Sequence, residues 1–125
     1  TLARADLIQN ERFAPPGQAY QVLAEQRGGN WSLKLSVLPE YYVYVDKLAA
    51  YTAADGVETT LSLAESDWID YPDPLFGTVK IYENDHQLAI TESPNAGELW
   101  VRIQGCSKKG LCYPPENRLL AIIVD

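Results

Sequence analysis

Cys106 and Cys112 are the only two cysteines of the 125-residue chain, with five residues between them. They lie in Gly105-Cys106-Ser107-Lys108-Lys109-Gly110-Leu111-Cys112-Tyr113-Pro114-Pro115, between the last two strands that the sequence predicts. The spacing permits a disulfide across a loop or hairpin. Such a bond could simply rigidify a secreted domain, but closing so short a loop would contribute only roughly 2 to 2.5 kcal/mol. The pair could instead cycle between dithiol and disulfide. That chemistry needs one thiolate to attack a partner's disulfide and a second sulfur close enough to resolve the mixed disulfide. Metal binding is a third option, but one His, no Met and two Cys supply too few ligands for a closed zinc or copper site. The spacing is not Cys-x-x-Cys and no βαβ pattern surrounds it, which argues against a thioredoxin fold.

The rest of the composition frames these options. With 46% hydrophobic and 22% charged residues, 8 Gly and 8 Pro, residues 1–125 read as one ordinary globular domain. A domain of this length does not need a disulfide to hold its core, so the cysteines invite a second explanation. The net charge of −7, with a pI near 4.6, makes nucleic acid and anionic membrane surfaces poor partners. The longest apolar run, Leu119 to Val124, is far short of the ~20 residues that cross a bilayer. Thr1 to Asp6 has neither the basic start nor the apolar core of a signal peptide, so any export signal is expected to have been removed or never present.

The elements that must position the pair are strands. Phe13-Ala14-Pro15-Pro16-Gly17 breaks any helix and introduces a strand from Gln18 to Glu25. Trp31, Leu33, Leu35 and Val37 alternate with Ser32, Lys34 and Ser36, the period of a half-buried strand ended by Pro39. Tyr41 to Val45 and Thr59 to Leu63 are short β-rich runs separated by a turn at Ala54-Asp55-Gly56. Lys80 to Tyr82 and Gln87 to Thr91 flank Glu83-Asn84-Asp85-His86, the pattern of a hairpin. After a turn at Pro94 to Gly97, Leu99, Val101 and Ile103 alternate with polar or amphipathic neighbours, and Leu119 to Val124 closes the chain. Only the first dozen residues and Leu63 to Trp68 have any claim to be helical. Seven or eight short antiparallel strands predict an all-β, immunoglobulin-like β-sandwich, with a barrel as the competing closure. The usual inter-sheet disulfide of antibody domains is missing, since it joins cysteines far apart in sequence.

Gly105-Cys106-x5-Cys112-Tyr113-Pro114-Pro115-Glu116 resembles the active-site segment in the N-terminal periplasmic domain of the DsbD-type thiol:disulfide interchange proteins. Phe13-x-Pro15-x-x-Gln18-Ala19-Tyr20, Tyr41-Tyr42-Val43-Tyr44, Asp73-x-x-x-Gly77 and Ile81-Tyr82 fall in the family's order with similar spacing, so the resemblance covers nearly the whole chain. It implies an immunoglobulin-like domain at the N-terminus of a larger membrane protein, working as a protein-disulfide reductase in the periplasm without a bound cofactor. Electrons would arrive from a C-terminal thioredoxin-like domain of the same polypeptide. They would leave to thioredoxin-fold partners: disulfide isomerases such as DsbC and DsbG, and the thioredoxin-like reductase of cytochrome c maturation. This domain itself would not enter the membrane.

The resemblance also implies roles for residues. Cys112 would join the partner and Cys106 would resolve. A cap loop that shields the cysteines maps onto Asp73-Pro74-Leu75-Phe76-Gly77, and the family's aromatic shield aligns with Leu75, followed by Phe76. Carboxylate tuning of the thiols would rest on Asp73, because a second acidic residue often found beside it is Pro74 here. Tyr42 and Tyr44 align with tyrosines that line the family's site.

Plainer readings stand beside these. Tyr42 and Tyr44 could be one face of a strand; Glu65, Asp67, Asp70 and Asp73 read as a solvated acidic loop; His86 falls at a turn tip and would be exposed and idle. Asn30-Trp31-Ser32 matches a glycosylation sequon but opens a strand. The rival class is a non-catalytic binding module with a structural disulfide. A cysteine-dependent metal carrier is a third.

Overall fold

The computed structural model describes residues 13–94 and 96–124. A single helical turn, α1 (Pro16–Ala19), leads into β1 (Tyr20–Arg27), β2 (Asn30–Val37) and β3 (Tyr41–Tyr44). A 3-10 turn at Val45–Lys47 precedes β4 (Ala49–Ala54), β5 (Val57–Leu61), β6 (Ile69–Asp73), β7 (Gly77–Tyr82) and β8 (Asp85–Ala89). The remaining strands are β9 (Gly97–Ile103), β10 (Gly105–Ser107), β11 (Leu111–Cys112) and β12 (Glu116–Ile123). They form three antiparallel sheets, ordered β1-β2-β8, β11-β10-β3-β7-β6 and β12-β9-β4-β5. This is the expected all-β architecture of immunoglobulin type.

Alternation builds the core where the sequence showed it. Leu33, Leu35 and Val37 of β2 and Leu99, Val101 and Ile103 of β9 are buried, while Lys34 and Arg102 face solvent. All three sheets feed one apolar cluster, joined by Tyr20, Val43, Tyr82 and Leu88. Within the five-stranded sheet, Tyr41 and Val43 point into that core. Tyr42 and Tyr44 point to the opposite face, into a second, smaller cluster with Ile81 and Cys106. All four residues of β3 are nevertheless buried, so the outer face must be covered too.

Four expectations change. Lys80–Tyr82 and Gln87–Thr91 are not a hairpin: β7 pairs with β3 and β6, whereas β8 pairs with β2, placing Leu88 opposite Leu33. Glu83 and Asn84, the latter at φ +64°, carry the chain from one sheet to the other. Leu63 to Trp68 is not helical, because its backbone is tied sideways: Leu63 bridges Ile90, the Ala64 N–H donates to the Ala89 carbonyl, and the Ser66 N–H donates to the Tyr82 hydroxyl. The helical turn falls instead at Pro16, where proline suits the first helical position. The remaining helical expectation, in the first dozen residues, lies outside the described ones. Finally, β4, β6, β10 and β11 raise the strand count to twelve among the described residues.

Close approach fixes β10. A Cβ on Gly105 would stand 2.5 Å from the Tyr42 carbonyl oxygen and 2.6 Å from the Tyr20 ring, so only glycine lets β10 lie in register against β3. Gly105→Ala is therefore expected to cost about 1–3 kcal/mol in denaturant unfolding; an unchanged midpoint would contradict this packing.

Candidate active site

Register brings the sulfurs together. Cys106 is paired with Tyr42 on one side and with Cys112 on the other, and the two cysteines form a disulfide across the β10–β11 hairpin with 4.0 Å between their Cα atoms. Cys106 is fully buried and Cys112 half-buried. Because Cys106, Tyr42 and Tyr44 share one face of the sheet, the Tyr44 hydroxyl lies 3.0 Å from Cys106 Sγ and 3.6 Å from Cys112 Sγ.

Asp73, at the end of β6, completes the site. It is 5% exposed, and its Oδ2 accepts hydrogen bonds from the hydroxyls of Tyr42 at 2.5 Å and Tyr44 at 2.6 Å. Its Oδ1 accepts from the backbone N–H groups of Leu75 and Phe76 at 2.8 and 2.9 Å. One carboxylate thus ties the tyrosine floor to the turn that joins β6 to β7, which Gly77 closes at φ +72°. The acidic-loop reading fails for Asp73, which is buried and bonded, and for Asp70, which is exposed but lies in β6 opposite Lys80; it holds for Glu65 and Asp67, exposed between β5 and β6.

Phe76, not Leu75, meets the floor. Its ring packs edge-on against Tyr44 with centroids 5.5 Å apart, whereas Leu75 is 64% exposed. Phe76 itself remains 50% exposed. Tyr71 was not singled out from the sequence, yet its ring lies 4.7 Å from that of Tyr42; it stands two residues before Asp73 on β6, a strand that the sequence did not show. His86 also differs from expectation: half-buried, it packs on Tyr82 and both ring nitrogens are within hydrogen-bond distance of Ser66 Oγ and the Glu83 carbonyl.

Electrostatics follow from this burial. Desolvation pushes the Tyr42 and Tyr44 phenols far above their ordinary 10, and the adjacent Asp73 adds to the effect. Burial alone would raise the Asp73 carboxyl; the bonds from Tyr42, Tyr44, Leu75 and Phe76 outweigh it and hold the group below its ordinary value. An ionised carboxylate therefore sits beside the sulfurs, all three ligand atoms lying within 4.8 Å of one another. A thiolate formed there is disfavoured by like charge. Asp73, Cys106 and Cys112 are three metal-type donors only when the cysteines are reduced, since a disulfide has no thiolate to offer.

With this geometry established, likeness to known proteins is informative. The sequence pattern of the family described as "Thiol:disulfide interchange protein DsbD, N-terminal" matches residues 10–123. The chain belongs to the DsbD N-terminal domain family. It is 33% identical over 114 residues to the thiol:disulfide interchange protein DsbD of Vibrio cholerae, covering 89% of the chain and 18% of that protein. It is 32% identical over 117 residues to DsbD of Yersinia pestis, covering 90% of the chain and 19% of that protein. The chain thus spans under a fifth of the length of these relatives. Its fold is similar to that of the Neisseria meningitidis DsbD N-terminal domain in the reduced form, with a TM-score of 0.75 at 22% identity over 89% of this chain and 90% of that one. A second similar structure is the complex between the DsbD N-terminal and PilB N-terminal domains of the same organism, with a TM-score of 0.65 at 21% identity over 86% and 85% of the chains.

For this DsbD-family domain, Asp73→Asn should move the pH–rate profile for alkylation of the reduced thiols to lower pH, raising the rate at neutral pH roughly three- to tenfold. An unmoved profile would remove Asp73 from thiol control. The same carboxylate sets a stability window. Its folded value lies below the unfolded 3.8, so its contribution is present above that pH and is lost as pH falls through the folded value. At the alkaline end Tyr42 and Tyr44 keep protons that the unfolded chain loses near 10, so stability falls as pH rises beyond it. Thermal melts across pH should show the acid loss in the wild type and not in Asp73→Asn.

Proposed function

We propose that this domain is a periplasmic protein-disulfide reductase module that carries two electrons on Cys106 and Cys112. It takes them from a thioredoxin-like domain of the same polypeptide and passes them to thioredoxin-fold partners, including disulfide isomerases of the DsbC and DsbG kind and the cytochrome c maturation reductase. The observation that carries this reading is the position of the disulfide. It lies on the outer face of the five-stranded sheet, against tyrosines that one carboxylate ties to the 73–77 turn, not inside the main core. A structural staple needs no removable cover, and a loop this short makes a weak staple.

The chemistry needs no group beyond the two sulfurs. In the reduced domain the Cys112 thiolate attacks a partner's disulfide, forming a Cys112–partner bond and releasing one partner thiolate. Cys106, deprotonated in turn, attacks Cys112 Sγ, re-forms the 106–112 bond and expels the second partner thiolate. The partner gains two electrons and two protons, which the domain loses. Exposure supports the assignment, since Cys112 is half-buried and Cys106 fully buried. Pro114 and Pro115 stiffen the chain after Cys112. Phe76 over Tyr44, with Leu75 beside it, serves as the shield that must move before a partner's sulfur reaches Cys112.

Cys106→Ala should trap a mixed disulfide with a thioredoxin-fold substrate, and Cys112→Ala should capture none. Efficient trapping by Cys112→Ala alone would reverse the assignment, and trapping by neither would sink the reading.

A further inference from the structure

A groove of about 270 Å³ opens beside the cap, lined by Tyr44, Asp46, Lys47, Phe76, Val79 and Lys80. The exchange chemistry makes no use of it, yet Tyr44 belongs to both the groove and the sulfur site. Its cations are unusual for so acidic a chain. Lys47 Nζ stands 4.7 Å from the centroid of the Phe76 ring, and Lys80 Nζ stands 4.7 Å from that of Trp68. Among the described residues neither ammonium has a carboxylate within 4.0 Å, although Asp46 is on the groove wall. Lys109 lies in the turn between the cysteines, and Lys108, paired with Glu83, reaches over Tyr71. Two ammonium groups, those of Lys47 and Lys80, thus line the groove beside the cap in a molecule of net charge −7. Leu75 and Phe76 add an exposed apolar rim.

We propose that this groove receives an acidic side chain of the redox partner, and that Lys47 couples its arrival to release of the cap. The inference rests on the exchange function above and adds what the partner must present: a carboxylate flanking its own cysteine pair. Lys47 now holds Phe76 by cation–π attraction across an exposed ring face. A carboxylate offers the ammonium a charge-assisted hydrogen bond that the ring face does not, so a docked acid draws the ammonium off the ring. Phe76 is then left with its edge contact to Tyr44 and its backbone bond to Asp73. Apolar contact from the partner replaces the rest. Without an acid in the groove, Lys47 keeps Phe76 down and the dithiol covered.

The test uses the reduced domain and three small disulfides: dithiodipropionate (anionic), hydroxyethyl disulfide (neutral) and cystamine (cationic). In each reaction the protein dithiol and one disulfide yield the protein disulfide and two small thiols, counted by mass. The Lys47→Gln/Lys80→Gln variant should lower the anionic-to-neutral rate ratio roughly three- to tenfold at low salt. The difference should vanish near ~1 M salt. Lys47→Arg/Lys80→Arg should keep the wild-type ratio, and Lys47→Gln alone should speed the neutral reaction by loosening Phe76. An unchanged ratio, or an equal loss with all three disulfides, would overturn the proposal while leaving thiol exchange intact. A wild-type dithiol that reacts with none of them would overturn the exchange function itself, and this inference with it.

Discussion

A buried carboxylate with four donors is the constraint on which the site depends. Asp73 accepts from two tyrosine hydroxyls and two backbone N–H groups, and each bond has a separate consequence. The tyrosine bonds fix a floor beneath the sulfurs. The backbone bonds fold the 73–77 turn, which sets Phe76 against Tyr44. Removing any donor leaves a charge in a dry place, which costs far more than the bond alone is worth. Turn, floor and negative field are thereby one structure, and moving the turn disturbs all three.

This arrangement reconciles two demands that the proposed exchange places on the disulfide. The pair must be protected, and it must be reachable without unfolding the domain. Placing it on the second face of a sheet whose first face builds the main core separates the two. Leu33, Val43, Leu88 and Leu99 hold the domain together, while Tyr42, Tyr44 and Ile81 hold the site. Cys106 sits between hydrogen-bonded strands on both sides, and Cys112 lies on the edge strand β11, the side from which another chain can approach.

Much of this was legible in the residues. Strands with strict alternation, such as 31–37 and 99–103, announce themselves because one face is wet and the other dry. The cysteine segment and its family resemblance pointed to the site, and Asp73, Tyr42 and Tyr44 do gather beside the sulfurs, with Phe76 against Tyr44. Less legible were the alanine-rich β4, β6 with its internal Pro72, β10 and β11, too short to show a period, and the pairing of β8 with β2, which is decided by the distant Leu33 and not by the adjacent β7. The family resemblance does not choose between Leu75 and Phe76. Backbone direction after Asp73 places Phe76, and not Leu75, against Tyr44, and no local pattern encodes that. Lys47 likewise gave no signal, because the ring it covers lies far along the chain.

The central claim is that Cys106–Cys112 is a working redox couple. Its reduction potential, measured by equilibration in glutathione buffers with alkylated thiols counted by mass, tests that claim most directly. The account predicts a value in the range of exchangeable redox proteins, roughly −270 to −120 mV. A potential well below about −300 mV would mark a structural disulfide and contradict it.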